Sequence, residues 1–396
     1  MATALETVSP TTHEVSHTVS PGLWALAWKR LQSDHVGMVS LAIVIAFILM
    51  MILSGTGLVA KDWNRETGIN YAPPSFIGAD IEAGAPAAPE AAPAAAVPAS
   101  EYKSSVVDPL ADVLAEIKGE KGAAATPAGE DEGKTVDPLA DVMADIKAGG
   151  AKNAEVAQTR AATLPFGGDK WGRDVLKKTI KGSETSIFVG LAAAAVAVFI
   201  GTIFGAVAGY YGKWVDDFFN WFYSIFSSIP YLLLILAVAA VLQQKGIHTI
   251  ILILGLTGWT GEFRLIRGEY LKHKAREYVQ AADAIGASNS RRMFVHIFPN
   301  VSHVVLVRLS ILTVAFIKAE VILSFLGFGV PVDVVSWGSM LNEAQNELIL
   351  GKWWQLVAAA AAMALLVTAF SLFTDALRDA LDPKLKGRMV KTRVVQ

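Results

Sequence analysis

The sequence predicts an all-α polytopic membrane protein. It has about six transmembrane helices, a charged cytoplasmic hairpin and a long, mostly disordered outer insert. Three observations carry this. The 396-residue chain is 53% hydrophobic. Several apolar runs reach the roughly 18 residues that read as a membrane helix. One internal stretch, 79–164, is rich in alanine and proline and poor in bulky apolar groups, so it cannot offset its own ordering entropy.

The spans come first. They are expected at 36–60, 184–211, 221–243, 247–266, 302–328 and 354–377. The fourth is crowded at its end by Glu262, Arg264 and Arg267. The run at 36–60 is too long for a signal-peptide core and reads as a retained span. Lys/Arg-rich connections stay cytoplasmic. Lys29 and Arg30, the loop from Arg264 to Arg292, and the tail from Lys384 to Arg393 all fall on one side if there are six spans. Both termini are therefore expected in the cytoplasm. Residues 165–183 resist the rule: parity puts them outside, yet they carry Lys170, Arg173, Lys177, Lys178 and Lys181. The resulting order is a tail with a short amphipathic helix (1–35), a first span (36–60), an outer segment (61–183), a five-helix core (184–380) and a basic cytoplasmic tail (381–396). In the second span, Gly190, Gly201, Gly205 and Gly209 suit close helix packing or a dimer face.

The insert repeats itself. VDPLADVLAEIKG at 107–119 returns as VDPLADVMADIKA at 136–148. Asp108 and Asp137 suit an N-cap, and Pro109 and Pro138 suit the first helical position. Leu110, Val113, Leu114 and Ile117 make one apolar stripe, matched by Leu139, Val142, Met143 and Ile146. Helices this short are marginal alone in water. They read as a duplicated spacer or as a docking element.

Several chemistries are excluded. A net charge of -2 gives no ground for nucleic-acid binding. The absence of cysteine removes disulfides, thiolate metal sites and a cysteine nucleophile. GEDEGKT at 129–135 imitates a phosphate loop, but only three residues separate Gly129 from Gly133 and Ala128 holds the required first position. The seven histidines are scattered. His296 and His303, seven apart, suit a solvated or interfacial role better than a metal pair. No catalytic set and no metal or cofactor site is expected in this chain.

The charged hairpin is AREYVQAADAIGASNSRRMFVHIFPN, residues 275–300. It reads as a helix over 268–284, a turn at Gly286, a cap at Ser290 and a second short helix running toward Pro299. Small residues at the turn would allow close approach. This stretch resembles the coupling loop of ABC importer permeases, whose pattern is E-A-A, three residues, G, nine residues, I-x-L-P. Ala281, Ala282, Gly286 and Pro299 match. Gln280, His296 and Phe298 stand where the pattern has Glu, Ile and Leu. The resemblance narrows to the dipeptide/oligopeptide/nickel branch, second permease type. PFGGDKWGRDVLKKTIKG at 165–182 is similar to that branch's P-F-G-T-D-x-x-G-R-D-V-L element, with Gly168 for Thr. EVILSFLGFGVPVDVVSWGSML at 320–341 is similar to its E-A-x-L-S-F-L-G-x-G … P-S-W-G-x-M-L element, with Val335 for proline. DALRDALDP at 375–383 and YAPPS at 71–75 also match. In that family a few residues join the last element to P-F-G, so 79–164 look inserted there.

The resemblance implies a permease that forms half of a translocation pathway for peptides or similar small solutes, in the bacterial inner membrane. It implies a second permease, two ABC ATPase subunits that bind the ATP, and an extracytoplasmic solute-binding protein, all around a chain embedded in membrane lipid. It implies that loop 264–300 contacts the ATPases, with Glu277, Gln280, Ala281, Ala282, Gly286, Ala287, Ser288 and Pro299 as the contact residues. Glu320, near the outer end of the fifth span, is a candidate for the translocation path or a structural carboxylate. Two other classes stay open on the residues alone. One is a secondary transporter or channel subunit without ATPases, which would favour mid-depth charges or repeated spans. The other is a membrane scaffold recruiting partners through the outer repeats.

Overall fold

A computed structural model describes residues 23–78 and 160–381. The duplicated helices, the imitation phosphate loop and the basic tail lie outside the described residues. The chain divides into two units, 1–75 with 163–396, and 76–162. Every helix named in this section belongs to the first unit.

Every named element among the described residues is a helix, and extended segments meet only in isolated bridges. Helix α1 (Leu23–Ser33) leads into α2 (His35–Gly55), whose N-cap Asp34 accepts from the Val36 N–H. Helix α3 (Val175–Tyr211) has 37 residues and spans about 56 Å. Then come α4 (Lys213–Ser227), α5 (Tyr231–Leu242), α6 (Ile247–Thr257) and α7 (Thr260–Lys274). The hairpin comes next: α8 (Glu277–Ala284), one turn α9 (Asn289–Arg291) and a π-helical segment, Arg292–Ile297. Helices α10 (Phe298–Phe325), α11 (Trp337–Ile349) and α12 (Trp354–Leu381) complete the bundle.

Three described helices, α2, α3 and α12, are long and apolar enough to cross a membrane; counting each bent pair as one span gives five. The 28-residue α10, which carries Arg308, Lys318 and Glu320, is long enough to be the fifth expected span and brings the total to six. Two expected spans are not single rods. The third breaks into α4 and α5, bent by 82°. Pro230 sits at the break, where it disfavours helix in the residue before it. The fourth breaks into α6 and α7, bent by 42° at Gly258 and Trp259.

The long α3 is the axis of the bundle. Its glycines face α7 and α10 within the same chain. A Cβ on Gly205 would lie 2.7 Å from the Phe263 carbonyl oxygen, and one on Gly190 would overlap Ile317 Cγ1. Only a missing side chain allows this approach. Helix α4 is amphipathic and aromatic. Phe219, Phe222, Tyr223 and Phe226 pack on Trp259 and Phe263, while Trp214, Phe218 and Trp221 face out. Such a face suits a membrane interface.

The basic segment 165–183 forms a layer at the α3 N-terminus, the end of the bundle away from the hairpin. Three of its five basic side chains are met by acids. Lys177 pairs with Asp62 at 2.7 Å, Lys181 pairs with Glu184 at 2.7 Å, and Lys178 pairs with Asp169 and Glu343. Lys178 also donates to Gln355 Oε1. The Arg173 guanidinium lies over the Trp63 ring, 5.7 Å from its centroid. A rule that counts Lys and Arg alone cannot see this pairing. The same layer joins the separated motifs. The Gly168 N–H donates to the Ala72 carbonyl, and the Ser75 N–H donates to the Leu164 carbonyl at 2.8 Å. The two flanks of the expected insert therefore adjoin. Trp354 Nε1 donates to the Gly168 carbonyl, and Trp337 Nε1 to that of Thr179. Ser336 and Ser339 form a capping box that starts α11.

Candidate functional site: the hairpin between α7 and α10

Helix α7 ends earlier than its sequence suggests. Ala275 and Arg276 interrupt it, with Arg276 in extended backbone, so 268–284 is two helices and not one. The last turn of α7 carries Lys272, His273 and Lys274, which favour its negative end. Lys274 Nζ donates to the Tyr210 carbonyl at 2.6 Å, tying this corner to the end of α3.

Helix α8 closes in a Schellman motif. The Ala287 N–H bonds the Ala282 carbonyl at 3.0 Å, and the Gly286 N–H bonds that of Asp283 at 2.9 Å. Gly286 takes φ +84, the left-handed conformation that such a cap requires, and a Cβ there would meet nothing within 4 Å. Backbone geometry, not crowding, therefore sets this glycine. Ser288 then caps the next turn, accepting from the Arg291 N–H. The cap expected at Ser290 is two residues earlier.

The second arm is a π-turn running straight into α10. The Phe298 N–H reaches back five residues to the Met293 carbonyl. Pro299 lies in the first turn of α10, directly after the π-turn, and has no N–H to continue the backbone bonding of that turn. It starts the long helix and does not close the hairpin. The two arms hold each other through a small core of Tyr270, Val279, Met293, Ile297 and Val301, which rests on Ala206 and Tyr210 of α3. Tyr270 Oη donates to the Met293 carbonyl at 3.2 Å. Arg292 pairs with Asp283 across the turn.

The sequence-predicted residues divide into two groups. Glu277, Gln280, Ala281, Gly286 and Ser288 are exposed, and Ala287 is half-buried. Gln280, where the family pattern has Glu, donates to the Ala275 carbonyl at 3.4 Å. Ala282 is buried and holds the hairpin together without facing outward. Sequence reading missed the apolar ridge. Ile285 is 83% exposed at the tip, and Phe294 and Val295 stand out from the second arm. No sequence signal separates these three from Val279, Met293 and Ile297 of the same stretch, which are buried. Burial pushes the Tyr278 phenol above its usual range, although its hydroxyl reaches His273 Nδ1 at 2.8 Å.

Glu320 lies elsewhere. It is fully buried, and its two oxygens accept from Ser186 and Ser324, each at 2.7 Å. Ser186 Oγ also accepts from the Trp337 N–H. This arrangement joins α3, α10 and α11 and presents no free carboxylate to a solute. Arg378, in the DALRDALDP element, borders a cavity with Arg308 and Glu269. Among the described residues no group of three or more His, Asp or Glu is placed to hold a metal.

Residues 201–387 match the family described as the binding-protein-dependent transport system inner membrane component. Residues 22–74 match the N-terminal transmembrane domain of oligopeptide transport permease C. The dipeptide transport system permease protein of Bacillus subtilis is 39% identical over 221 residues, 56% of this chain and 69% of that protein. The chain belongs to the binding-protein-dependent transport permeases. An oligopeptide transport system permease protein from the same organism is 38% identical over 56% of this chain and 72% of its own length. One from Haemophilus influenzae is 36% identical over 55% and 70%. The bundle is therefore that of a polytopic permease subunit of an importer complex, and the hairpin lies inside the matched family segment.

Proposed function

We propose that this permease carries peptides, as the names of its relatives state for those proteins, and that it couples to separate ATPases through residues 275–300. The observation that carries this is the hairpin's build. Its root is fixed to α3 and its tip is a preset turn, with Ile285 turned out beside open space at Gly286. A rigid, exposed apolar tip is what a cleft in another subunit can grip.

In this reading a second permease completes the pathway, and two ABC ATPases bind and hydrolyse ATP. A solute-binding protein delivers the peptide at the opposite end. This chain needs no cofactor of its own. The hairpin and both termini are cytoplasmic, and the layer around 165–183 faces outward across the bacterial inner membrane.

Two substitutions test it. Ile285→Asp changes only an exposed tip residue, so its effect on stability should stay within about 0.5 kcal/mol. It should release the ATPases during co-purification and abolish peptide uptake. Normal uptake with the ATPases still attached would remove the coupling role. For orientation, Val332→Cys and Ser288→Cys each place a single thiol in a cysteine-free chain, at exposed positions at opposite ends of the bundle. An impermeant thiol reagent on intact cells should label Val332→Cys alone.

A further inference from the structure

The two helices that leave the hairpin, α7 and α10, are linked again well inside the bundle. Arg308 Nε donates to Glu262 Oε2 at 3.1 Å. Each residue lies about three helical turns from the hairpin. Glu262 has no solvent exposure, and its other oxygen, Oε1, has no hydrogen-bond partner. Its Cβ is pressed against α3, where a side-chain carbon on Gly201 would lie 2.6 Å away. An ionisable pair inside a membrane bundle is costly to keep and is by default a functional candidate.

The placement says what it does. Just above Glu262 the chain bends by 42°, and a Cβ on Gly258 there would run into the Phe316 ring of α10. Below Glu262, α7 is held along its length. Arg267 binds Asp216 of α4 through two contacts of 2.5 and 2.6 Å, Tyr270 reaches Met293, and Lys274 reaches the end of α3. The segment between the bend and the hairpin is thus joined to α10 by the ion pair, to the π-turn that leads into α10 by Tyr270, and to α4 and α3 by Arg267 and Lys274. On the side away from α3 it borders a cavity of about 510 Å³ lined in part by Arg308, Glu269 and Arg378.

We propose that Glu262 and Arg308 are positioning residues for coupling: their ion pair makes α7 and α10 one lever arm, so that a push on the hairpin moves both helices together about the bend at Gly258. This rests on the coupling role proposed above. Without the clamp, the hairpin would still bind its ATPase, but its displacement would be absorbed by sliding of α7 against α10.

The experiment uses the whole transporter, with partner permease, ATPases and binding protein, in proteoliposomes. The readout is the number of peptides taken up per ATP hydrolysed, which a purely structural role would not move. Glu262→Gln and Arg308→Gln should each leave the ATPases bound and hydrolysing while lowering that ratio by about tenfold, the scale of a typical coupling between sites. The double variant places two amides that can bond each other and leaves no unpaired charge, so it should recover most of the ratio. An unchanged ratio in the single variants overturns the proposal, as does a ratio equally low in the double. Loss of assembled complex with a normal ratio in what remains also overturns it. If these variants are normal while Ile285→Asp still releases the ATPases, the clamp falls and the hairpin reading stands.

Discussion

Lys178 Nζ lies 2.8 Å from Asp169 Oδ2, and both side chains are closed to solvent. The pair nails the start of α3 to the loop that precedes it, and Glu343 brings α11 into the same site. Removing one partner of a buried pair leaves a charge with nothing to balance it. Lys178→Met should therefore cost about 3–5 kcal/mol, while Lys178→Met with Asp169→Asn should cost clearly less. Thermal unfolding in detergent measures both. A single variant as stable as the parent would show that the layer is held otherwise.

Glu347 of α11, whose carboxyl accepts from the Lys170 N–H, gives that layer a pH dependence. Burial pushes its carboxyl up from 4.5 to about 7, against the pull of Lys178. The folded state therefore holds a proton that the unfolded state releases near pH 4.5. Stability should fall as pH rises through the window from 4.5 to 7 and level off above it. The loss is on the order of 3 kcal/mol at most. Glu347→Gln copies the protonated form. It should match the parent at pH 5 and exceed it at pH 8 in melting temperature. Parallel curves for the two proteins would contradict the assignment.

Gly286 separates backbone strain from contact. A β-branched residue at φ +84 is strained whatever the surrounding space, by about 1–2 kcal/mol. Gly286→Val should remain inserted but distort the Schellman cap, loosen the ATPases and stop uptake. Gly286→Asn, which tolerates the left-handed region, should retain most uptake. Equal loss in both variants would mean that the absence of a side chain matters and the turn angle does not.

Trp354 tests the layer from the side of α12. Its indole N–H bonds the Gly168 carbonyl at 2.7 Å. Trp354→Phe leaves that carbonyl without this donor and should cost about 1–3 kcal/mol in thermal or denaturant unfolding. No measurable change would mean that water or a neighbour replaces the bond.

Much of this was legible because apolar length is a strong signal. The expected 354–377 starts with α12 and ends four residues short of it, and 302–328 is offset from α10 by three or four residues at each end. The 82° break at Pro230 had a visible cause that a hydropathy window averages away. The break at Ala275 and Arg276 had none, since neither residue opposes helix. It arises where Lys274 turns to the Tyr210 carbonyl and the hairpin core forms. Gly286 was legible as a turn. The inward role of Ala282 and the outward one of Ile285 were not, because a sequence pattern ranks small and apolar residues without saying which side of an eight-residue helix they occupy. The same limit applies to Glu262. Its crowding was visible, but its partner is 46 residues away, on the far side of the hairpin.

The backbone bond between Ser75 and Leu164 has a further consequence. Two positions about 90 residues apart end up side by side, so forming the layer closes a long loop. That closure costs about 4 kcal/mol in chain entropy, and a linker of about eight residues would return about 1.5 kcal/mol of it. Shortening 79–159 to such a linker should raise the melting temperature of the layer that holds Asp169 and Trp354. The seam is also a natural grafting point. A folded domain whose own termini lie close together could replace the excursion without parting the segments that flank it.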